Sequence, residues 1–232
     1  MNSLVHAARD GLAGLADPAK APDMQRYMKS EMPFRGVPSP ARKRLAGTLF
    51  AEHPLDTVDD LVATTRALWH DAGYREERYL AIDLTGYRAY RRWQDPGLLP
   101  LYRELVVTGA WWDYVDEVAI RRVGPILLGS PGDVTPLVRA WATDDDLWLR
   151  RTAVICQVGA GARVDTDLLT HAVEANLGDR NFFLRKGIGW ALRQHARVDP
   201  GWVRRFVDDH PGLSPLSVRE ALKHLAGNAR GR

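Results

Sequence analysis

Three charged side chains that could act electrostatically recur at a fixed interval in the sequence. Asp116, Arg151 and Lys186 are each 35 residues apart. Trp112 precedes Asp116 by four residues and Trp190 follows Lys186 by four, so in a helix each tryptophan shares a face with its charged neighbour. The spacing therefore predicts a charged row of one carboxylate and two cations, flanked by two tryptophans. Such a row could hold an ionic partner or oppose charge in a reaction, and it could also be structural.

An internal repeat sets this interval. Residues 146–155 (DLWLRRTAVI) resemble residues 181–190 (NFFLRKGIGW), since both have an aromatic residue, Leu, Arg and a second basic residue before small and apolar ones. Looser copies lie at residues 77–81, 111–119 and 217–222. A period of 34 to 37 residues fits a two-helix unit that buries its apolar face by stacking on its neighbours. Equivalent helices of such an array line one surface, which is usually the binding face.

Local patterns predict that the repeating elements are helices. Apolar residues between Thr57 and Trp69 fall at i, i+3, i+4, i+10 and i+11, which is one face of a helix. Ser39, Asp199 and Ser214 each precede a proline, an arrangement that suits a helix cap followed by the first turn. No stretch shows the sustained alternation of a strand. We predict an all-α fold, a superhelical array of about six HEAT-like helix pairs, with residues 1–232 forming a single domain.

Composition indicates an ordinary globular protein of a reducing compartment. Of the 232 residues, 45% are apolar and 26% are charged. The single cysteine, Cys156, excludes an internal disulfide framework and a cysteine-based zinc site, and its apolar surroundings predict a buried core residue. No apolar run is long enough to span a membrane, and the N-terminus lacks the core of a signal peptide. We expect a cytoplasmic protein that does not engage membranes.

Positive charge is concentrated at the C-terminal end. From Arg180 to Arg232 there are 11 Lys and Arg against 4 Asp and Glu, a net charge of +7, whereas the preceding residues carry a net charge of −4. A basic segment of this kind suggests an anionic partner, most commonly nucleic acid. A solvated helix surface accounts for the composition equally well.

Several classes of catalytic site find no support. The sequence has no phosphate-binding P-loop and no G-x-G-x-x-G pattern, and its seven histidines show no H-x-x-x-H or H-E-x-x-H spacing. We therefore expect neither a metal nor a cofactor.

Structural alternatives apply to every residue of the charged row. Tryptophans at helical spacing are usually core residues, which is the interpretation we give Trp69, Trp93, Trp141, Trp148 and Trp202. An Asp–Arg pair between neighbouring repeats is commonly a structural salt bridge. It is the coincidence of Trp112, Asp116, Arg151 and Trp190 in one row that favours function.

Five segments together resemble the AlkD family of bacterial DNA glycosylases. They follow the family order and extend from about residue 25 to residue 225: YMKSEMPFRG at 27–36, WWDYVD at 111–116, WLRR at 148–151, FFLRKGIGWALR at 182–193 and LSPLSVREALKH at 213–224.

The resemblance implies a helical superhelix whose basic concave groove holds duplex DNA by its backbone. It also implies excision of cationic N3- and N7-alkylated purines and, in some members, of bulky adducts, with the lesion left stacked. Matched motif by motif, the essential carboxylate falls on Asp116, the two groove tryptophans on Trp112 and Trp190, and the active-site arginine on Arg151.

The same comparison predicts the DNA partner and its contacts. We expect a monomer that binds duplex DNA containing alkylated purines. The predicted DNA-binding residues are Tyr27, Arg185, Lys186, Arg193, Arg219 and Lys223. Two alternatives stay open: a non-catalytic HEAT-repeat scaffold for proteins, and a protein that binds damaged DNA without cutting it.

Overall fold

The structure, a computed structural model, describes residues 3–225. These residues form fourteen α-helices and no strand. They divide between Trp93 and Gln94 into two compact units. The first unit contains α1 (Ser3–Gly14), α2 (Ala21–Met28), α3 (Ser39–Glu52), α4 (Val58–His70) and α5 (Arg75–Thr85). The second contains α6 (Leu99–Gly109), α7 (Trp112–Val118), α8 (Gly124–Gly129), α9 (Pro131–Ala142), α10 (Leu147–Ile155), α11 (Thr166–Glu174), α12 (Phe182–His195), α13 (Pro200–Asp209) and α14 (Pro215–Leu222).

The order of the helices is that of a helix-pair repeat. A π-helical turn, Ala119–Val123, joins α7 to α8 without a break, so these two helices form one rod. With the short α2 left aside, the described residues form six consecutive pairs: α1 and α3, α4 and α5, α6 and α7–α8, α9 and α10, α11 and α12, α13 and α14. The predicted all-α, HEAT-like fold class is confirmed, whereas the single domain stays a prediction. Among residues 3–225 no helix has the length and apolar character needed to cross a membrane.

Capping side chains set the starts of six of the described α-helices, namely α4, α10, α11, α12, α13 and α14. Thr57 and Asp60 form a reciprocal capping box at the start of α4. Asp199 accepts from the Trp202 backbone N–H and Ser214 from the Ser217 N–H, as predicted. The prediction of a cap at Ser39 was wrong. The first helical hydrogen bond of α3 runs from Arg42 to the Pro38 carbonyl, so the helix starts one residue earlier and Ser39 lies inside it.

In the first unit, a buried carboxylate fixes the segment between α2 and α3. Glu76 of α5 is fully buried and accepts the backbone N–H groups of Arg35, Gly36 and Val37 at 2.9 to 3.0 Å. A buried carboxylate is stable only when it is paired or hydrogen-bonded, and these three donors satisfy it. Glu76 thereby anchors the segment that follows the helix bearing Tyr27.

In the second unit, two glycines let helices meet backbone against backbone. A Cβ at Gly124 would lie 2.2 Å from the carbonyl oxygen of Cys156, and one at Gly189 would lie 2.8 Å from that of Ser217. α8 therefore approaches the end of α10, and α12 approaches α14, at distances that no side chain permits. α10 also contacts α7 and α12, so α7, α10, α12 and α14 pack in succession.

Three of the five tryptophans predicted as core residues are buried, namely Trp69, Trp141 and Trp148. Trp93 and Trp202 are half-buried and stack on neighbouring aromatic rings, with ring centroids 5.0 and 4.8 Å apart. The core prediction is confirmed for the first three and holds in part for the other two.

Cys156 is a core residue, as predicted. It is 1% exposed, and burial raises the pKa of its thiol to about 12. Because the thiolate is the reactive form, this cysteine is inert at neutral pH.

Candidate active site

Asp116 and Arg151 form a bidentate ion pair between α7 and α10. Arg151 Nε donates to one carboxylate oxygen at 2.7 Å and Nη2 donates to the other at 2.8 Å. The Asp116 side chain is 17% exposed and the Arg151 side chain 5%, so the pair is largely removed from water while part of Asp116 stays exposed. The repeat spacing predicted that these two residues lie on one surface, and the structure confirms it.

The guanidinium of Arg151 is also fixed from the α12 side. Its Nη1 donates to the carbonyl oxygen of Phe183, so all three guanidinium nitrogens have partners. Gly187 leaves the space for this, because a Cβ there would lie 2.9 Å from Arg151 Nη1. The Asp116 carboxylate is thus oriented by an arginine that is itself held by the next helix of the array.

Burial dominates the electrostatics of Asp116. Loss of solvent raises the pKa of its carboxyl group above the ordinary value of 3.8, the hydrogen bonds and charge of Arg151 act in the opposite direction, and the nearby Asp113 raises it further. Removal from water penalises the charged form of a carboxyl group, whereas a cation favours it. Burial therefore opposes the charge of Asp116 more than Arg151 favours it, so a further positive charge brought close to the carboxylate would favour its ionised form.

The two predicted groove tryptophans are half-buried, and each lies one helical turn from a residue of the charged row. Trp112 is the first residue of α7, one turn before Asp116. Trp190 lies in α12, one turn after Lys186. Both residues retain exposed surface, which an aromatic residue needs in order to contact a ligand.

A second set of aromatic side chains supports the starts of three helices; of its members, the sequence analysis had singled out only Trp148, as a core residue, and had missed Trp111 and Phe183. Trp111 contacts Trp148 and Phe183 at centroid distances of 6.2 and 5.4 Å, and Trp148 lies 5.2 Å from Phe183. These residues recur at intervals of 37 and 35 residues, which is the repeat period, so the spacing could have identified them. They form an aromatic cluster where α7, α10 and α12 begin.

Lys186, the third member of the charged row, pairs with a carboxylate that the sequence analysis did not single out. Its Nζ lies 2.6 Å from Oε1 of Glu220 in α14, and Arg193 donates to Oε2 of the same residue. Glu220 stands 34 residues after Lys186, so it extends the charged row by one repeat. The row consists of two ion pairs, Asp116 with Arg151 and Lys186 with Glu220, so its two cations are in the middle and its two carboxylates are at the ends.

The remaining predicted DNA-binding residues lie on or next to α2, α12 and α14. Arg219 and Lys223 are exposed, four residues apart along α14 and its C-terminal end. Arg185 is half-buried and donates to the Arg180 carbonyl. Tyr27, in α2 of the first unit, is 74% exposed. These positions are open to solvent in whole or in part, and the assignment of all of them to DNA stays a prediction.

Possible metal ligands do not gather in the described residues: within 3–225 no three His, Cys, Asp or Glu side chains lie close enough together to hold an ion.

Comparison with known proteins points to one family. Residues 8–225 match the sequence model of the DNA alkylation repair enzyme family. Among solved structures, the chain is similar to a protein of Enterococcus faecalis described as a predicted DNA alkylation repair enzyme. The two are 30% identical with a TM-score of 0.79, over 91% of this chain and 97% of that one. No curated protein matches the chain.

Proposed function

The chain belongs to the DNA alkylation repair enzyme family, and from that premise we propose that it is a DNA glycosylase. It hydrolyses the N-glycosidic bond of cationic N3- and N7-alkylated purines in duplex DNA, as a first step of base excision repair. The observation that carries the proposal is the carboxylate of Asp116, which is held by Arg151 and largely buried, with 17% of its side chain exposed.

A single carboxylate suffices for this reaction because of the charge of the substrate. Glycoside hydrolysis passes through an oxocarbenium-like sugar and usually needs one carboxyl group as acid and one as base or nucleophile. An N3- or N7-alkylated purine already carries a positive charge. It takes the bonding electrons as the C1′–N bond breaks and leaves neutral, so no general acid has to protonate it.

Asp116 opposes the positive charge that develops on the sugar. A carboxylate has about four lone-pair sites, and Arg151 uses two of them, which leaves acceptors for the attacking water. Water adds to C1′ and Asp116 receives or relays its proton. Because the carboxylate is already oriented and largely desolvated, it stabilises the transition state without first rearranging solvent.

Trp112 and Trp190 cradle the deoxyribose of the lesion in this proposal. The electron-rich face of an indole ring attracts a neighbouring cation by ~0.5–2 kcal/mol, which suits an alkylated purine or an oxocarbenium ion. Arg151 is a positioning residue, since its guanidinium is occupied by Asp116 and the Phe183 carbonyl. No pocket has to enclose the base, so bulky adducts are accepted as well as methyl groups.

DNA is held through phosphates by the basic C-terminal region. Between residues 180 and 225 the described chain has nine Lys and Arg against four Asp and Glu. We assign phosphate contacts to Arg185, Lys186, Arg193, Arg219 and Lys223, and a further contact to Tyr27. In the same proposal both compact units act as one domain, and the protein works as a cytoplasmic monomer.

Release of the free base tests the proposed activity. Duplex oligonucleotides carrying one 7-methylguanine, or one bulky N3-adduct, are incubated with excess protein, and the free base is separated by chromatography. The proposal expects base release well above spontaneous depurination, with alkali-labile cleavage at the same site. A folded protein that binds these duplexes and releases no base would contradict it.

One observation favours a second candidate, a protein that binds damaged DNA without cutting it. Both oxygens of Asp116 already have a partner in Arg151, which is what a purely structural ion pair between repeats requires. The same assay separates the two functions, because a binder retains intact DNA.

A further inference from the structure

Glu220 is a carboxylate shared by two of the proposed phosphate contacts. It lies on α14 with 13% of its side chain exposed, 2.6 Å from the Lys186 ammonium and in contact with the Arg193 guanidinium. The hydrogen bond from Lys186 lowers the pKa of Glu220 below the ordinary value of 4.5; burial acts in the opposite direction, and the charges of Lys186 and Arg193 lower the pKa further. The group is therefore ionised at neutral pH, and the cluster of three side chains has a net charge of +1.

The two cations stand on either side of Trp190. Lys186, Trp190 and Arg193 follow at i, i+4 and i+7, which is one stripe along α12. Seven residues rise about 10 Å along a helix, and the Glu220 carboxylate contacts both cations across this span. A Cβ at Gly189 would lie 2.5 Å from the Cβ of Glu220, so Glu220 is level with the residue before Trp190, the tryptophan that the proposed function places against the lesion.

Helix packing prevents Glu220 from moving away. A Cβ at Gly189 would lie 2.5 Å from the Cβ of Glu220, so α14 is in direct contact with α12 at this level. The Ser217 hydroxyl, one turn earlier, donates to the Arg185 carbonyl at 2.8 Å. The carboxylate is thus a fixed point from which two long, otherwise flexible side chains are oriented.

We propose that Glu220 is a positioning residue of the DNA interface, an inference that rests on the proposed function. It orders Lys186 and Arg193 into one strip beside Trp190 and lowers the local charge by one. Lys186 is 42% exposed and has three donors, of which the pair with Glu220 uses one, so the ammonium can bind a phosphate without leaving Glu220. Ordered cations align the DNA strand on Asp116, and the lost charge reduces indiscriminate binding.

Two variants separate placement from charge. Glu220→Gln removes the carboxylate charge and frees both cations. We expect the slope of log affinity against log salt for undamaged duplex to steepen by about 1, because the net charge of the cluster rises from +1 to +2 and one further counterion is released from the DNA. Glu220→Asp keeps the charge and is too short to reach both cations. We expect it to keep the wild-type slope, while both variants lose roughly tenfold in single-turnover excision through misplacement of the strand.

Glu174→Gln is the matched control. It also removes one negative charge from the second unit, but Glu174 lies on α11 and pairs with His210 of the loop after α13. Thermal unfolding is measured for each variant. The inference is overturned if Glu220→Gln matches Glu174→Gln in slope and excision, or if Glu220→Gln unfolds while Glu220→Asp behaves as wild type, which would make Glu220 structural. A wild-type protein that binds DNA and releases no base refutes the proposed function instead, and the slopes still report on Glu220.

Discussion

Arg151 donates to both carboxylate oxygens of Asp116, at 2.7 and 2.8 Å, across the interface of α10 and α7. This one contact orients the proposed catalytic group and joins two repeats of the array. The same pair of side chains therefore contributes to the proposed reaction and to the stability of the fold. A substitution of either residue is expected to change the excision rate and the free energy of unfolding together.

Asp116→Asn tests the charge of the proposed catalytic group. Asparagine keeps the shape and one carbonyl acceptor for Arg151, but it removes the charge that opposes the oxocarbenium ion. We expect single-turnover excision of 7-methylguanine to fall by about 100-fold or more, as when one preorganised electrostatic partner is lost. Affinity for the duplex should stay level or improve, because a carboxylate close to phosphates repels DNA.

Glu117→Gln controls for a change of charge on the same helix. Glu117 is the next residue of α7, is 44% exposed and lies 3.8 Å from Arg122. Excision by this variant should be close to wild type. A folded Asp116→Asn protein with near-normal excision would show that Asp116 is structural.

Removal of Arg151 should destabilise the protein. Arg151→Met leaves the Asp116 carboxylate buried without its cation, and the loss of one partner from a buried pair costs ~3–5 kcal/mol. The double variant Asp116→Asn, Arg151→Met should recover much of this, since it buries no charge. Urea denaturation of the two single variants and the double variant gives the coupling free energy. Additive effects would mean that the pair contributes nothing beyond its separate side chains.

The pH dependence of excision should have a single acidic limb. The reaction needs Asp116 ionised, and burial raises the pKa of this group above 3.8, so activity falls as pH decreases through the raised pKa. The substrate owes its charge to alkylation, so no general acid adds a second limb at higher pH. Single-turnover rates across acidic and neutral pH check this, and the residual activity of Asp116→Asn should lack the limb. A bell-shaped profile would indicate an acid that the proposed mechanism does not contain.

The contributions of Asp116 and Glu220 to the free energy of unfolding should depend on pH in opposite ways. The pKa of Asp116 is raised by folding, so its contribution is greatest below 3.8 and is lost as pH rises through the folded pKa. The pKa of Glu220 is lowered, so its contribution is present above 4.5 and is lost as pH falls through the folded pKa. Acid should therefore destabilise wild-type protein more than Glu220→Gln. Equal acid sensitivity of the two in thermal unfolding would contradict this.

The sequence predicted what depends on local pattern and on repeat spacing. Helix periodicity and capping residues are local, and the 35-residue interval related Asp116 to Arg151 because equivalent positions of stacked repeats adjoin. Glu220 lay one interval beyond Lys186 but carries a charge opposite to that of its neighbours in sequence, so it was not recognised as part of the row. In the doublet Trp111–Trp112, and likewise for Phe183, packing against other helices decides which ring joins the aromatic cluster. That information is not local.

Gly187→Ala tests how Arg151 is held. Alanine in place of a helical glycine ordinarily stabilises a protein by ~0.5–1 kcal/mol. At position 187 the new Cβ would lie 2.9 Å from Arg151 Nη1, so the guanidinium must shift away from the Phe183 carbonyl and carry Asp116 with it. We expect no gain in stability and a loss of roughly tenfold in excision, with DNA affinity unchanged, because the phosphate contacts are not altered.

Gly47→Ala is the control, since a Cβ at this exposed position in α3 meets nothing within 4 Å. It should raise the unfolding temperature and leave excision unaffected. If Gly187→Ala also stabilises the protein and excises at the wild-type rate, the Arg151 guanidinium tolerates displacement and its position is not critical to the reaction.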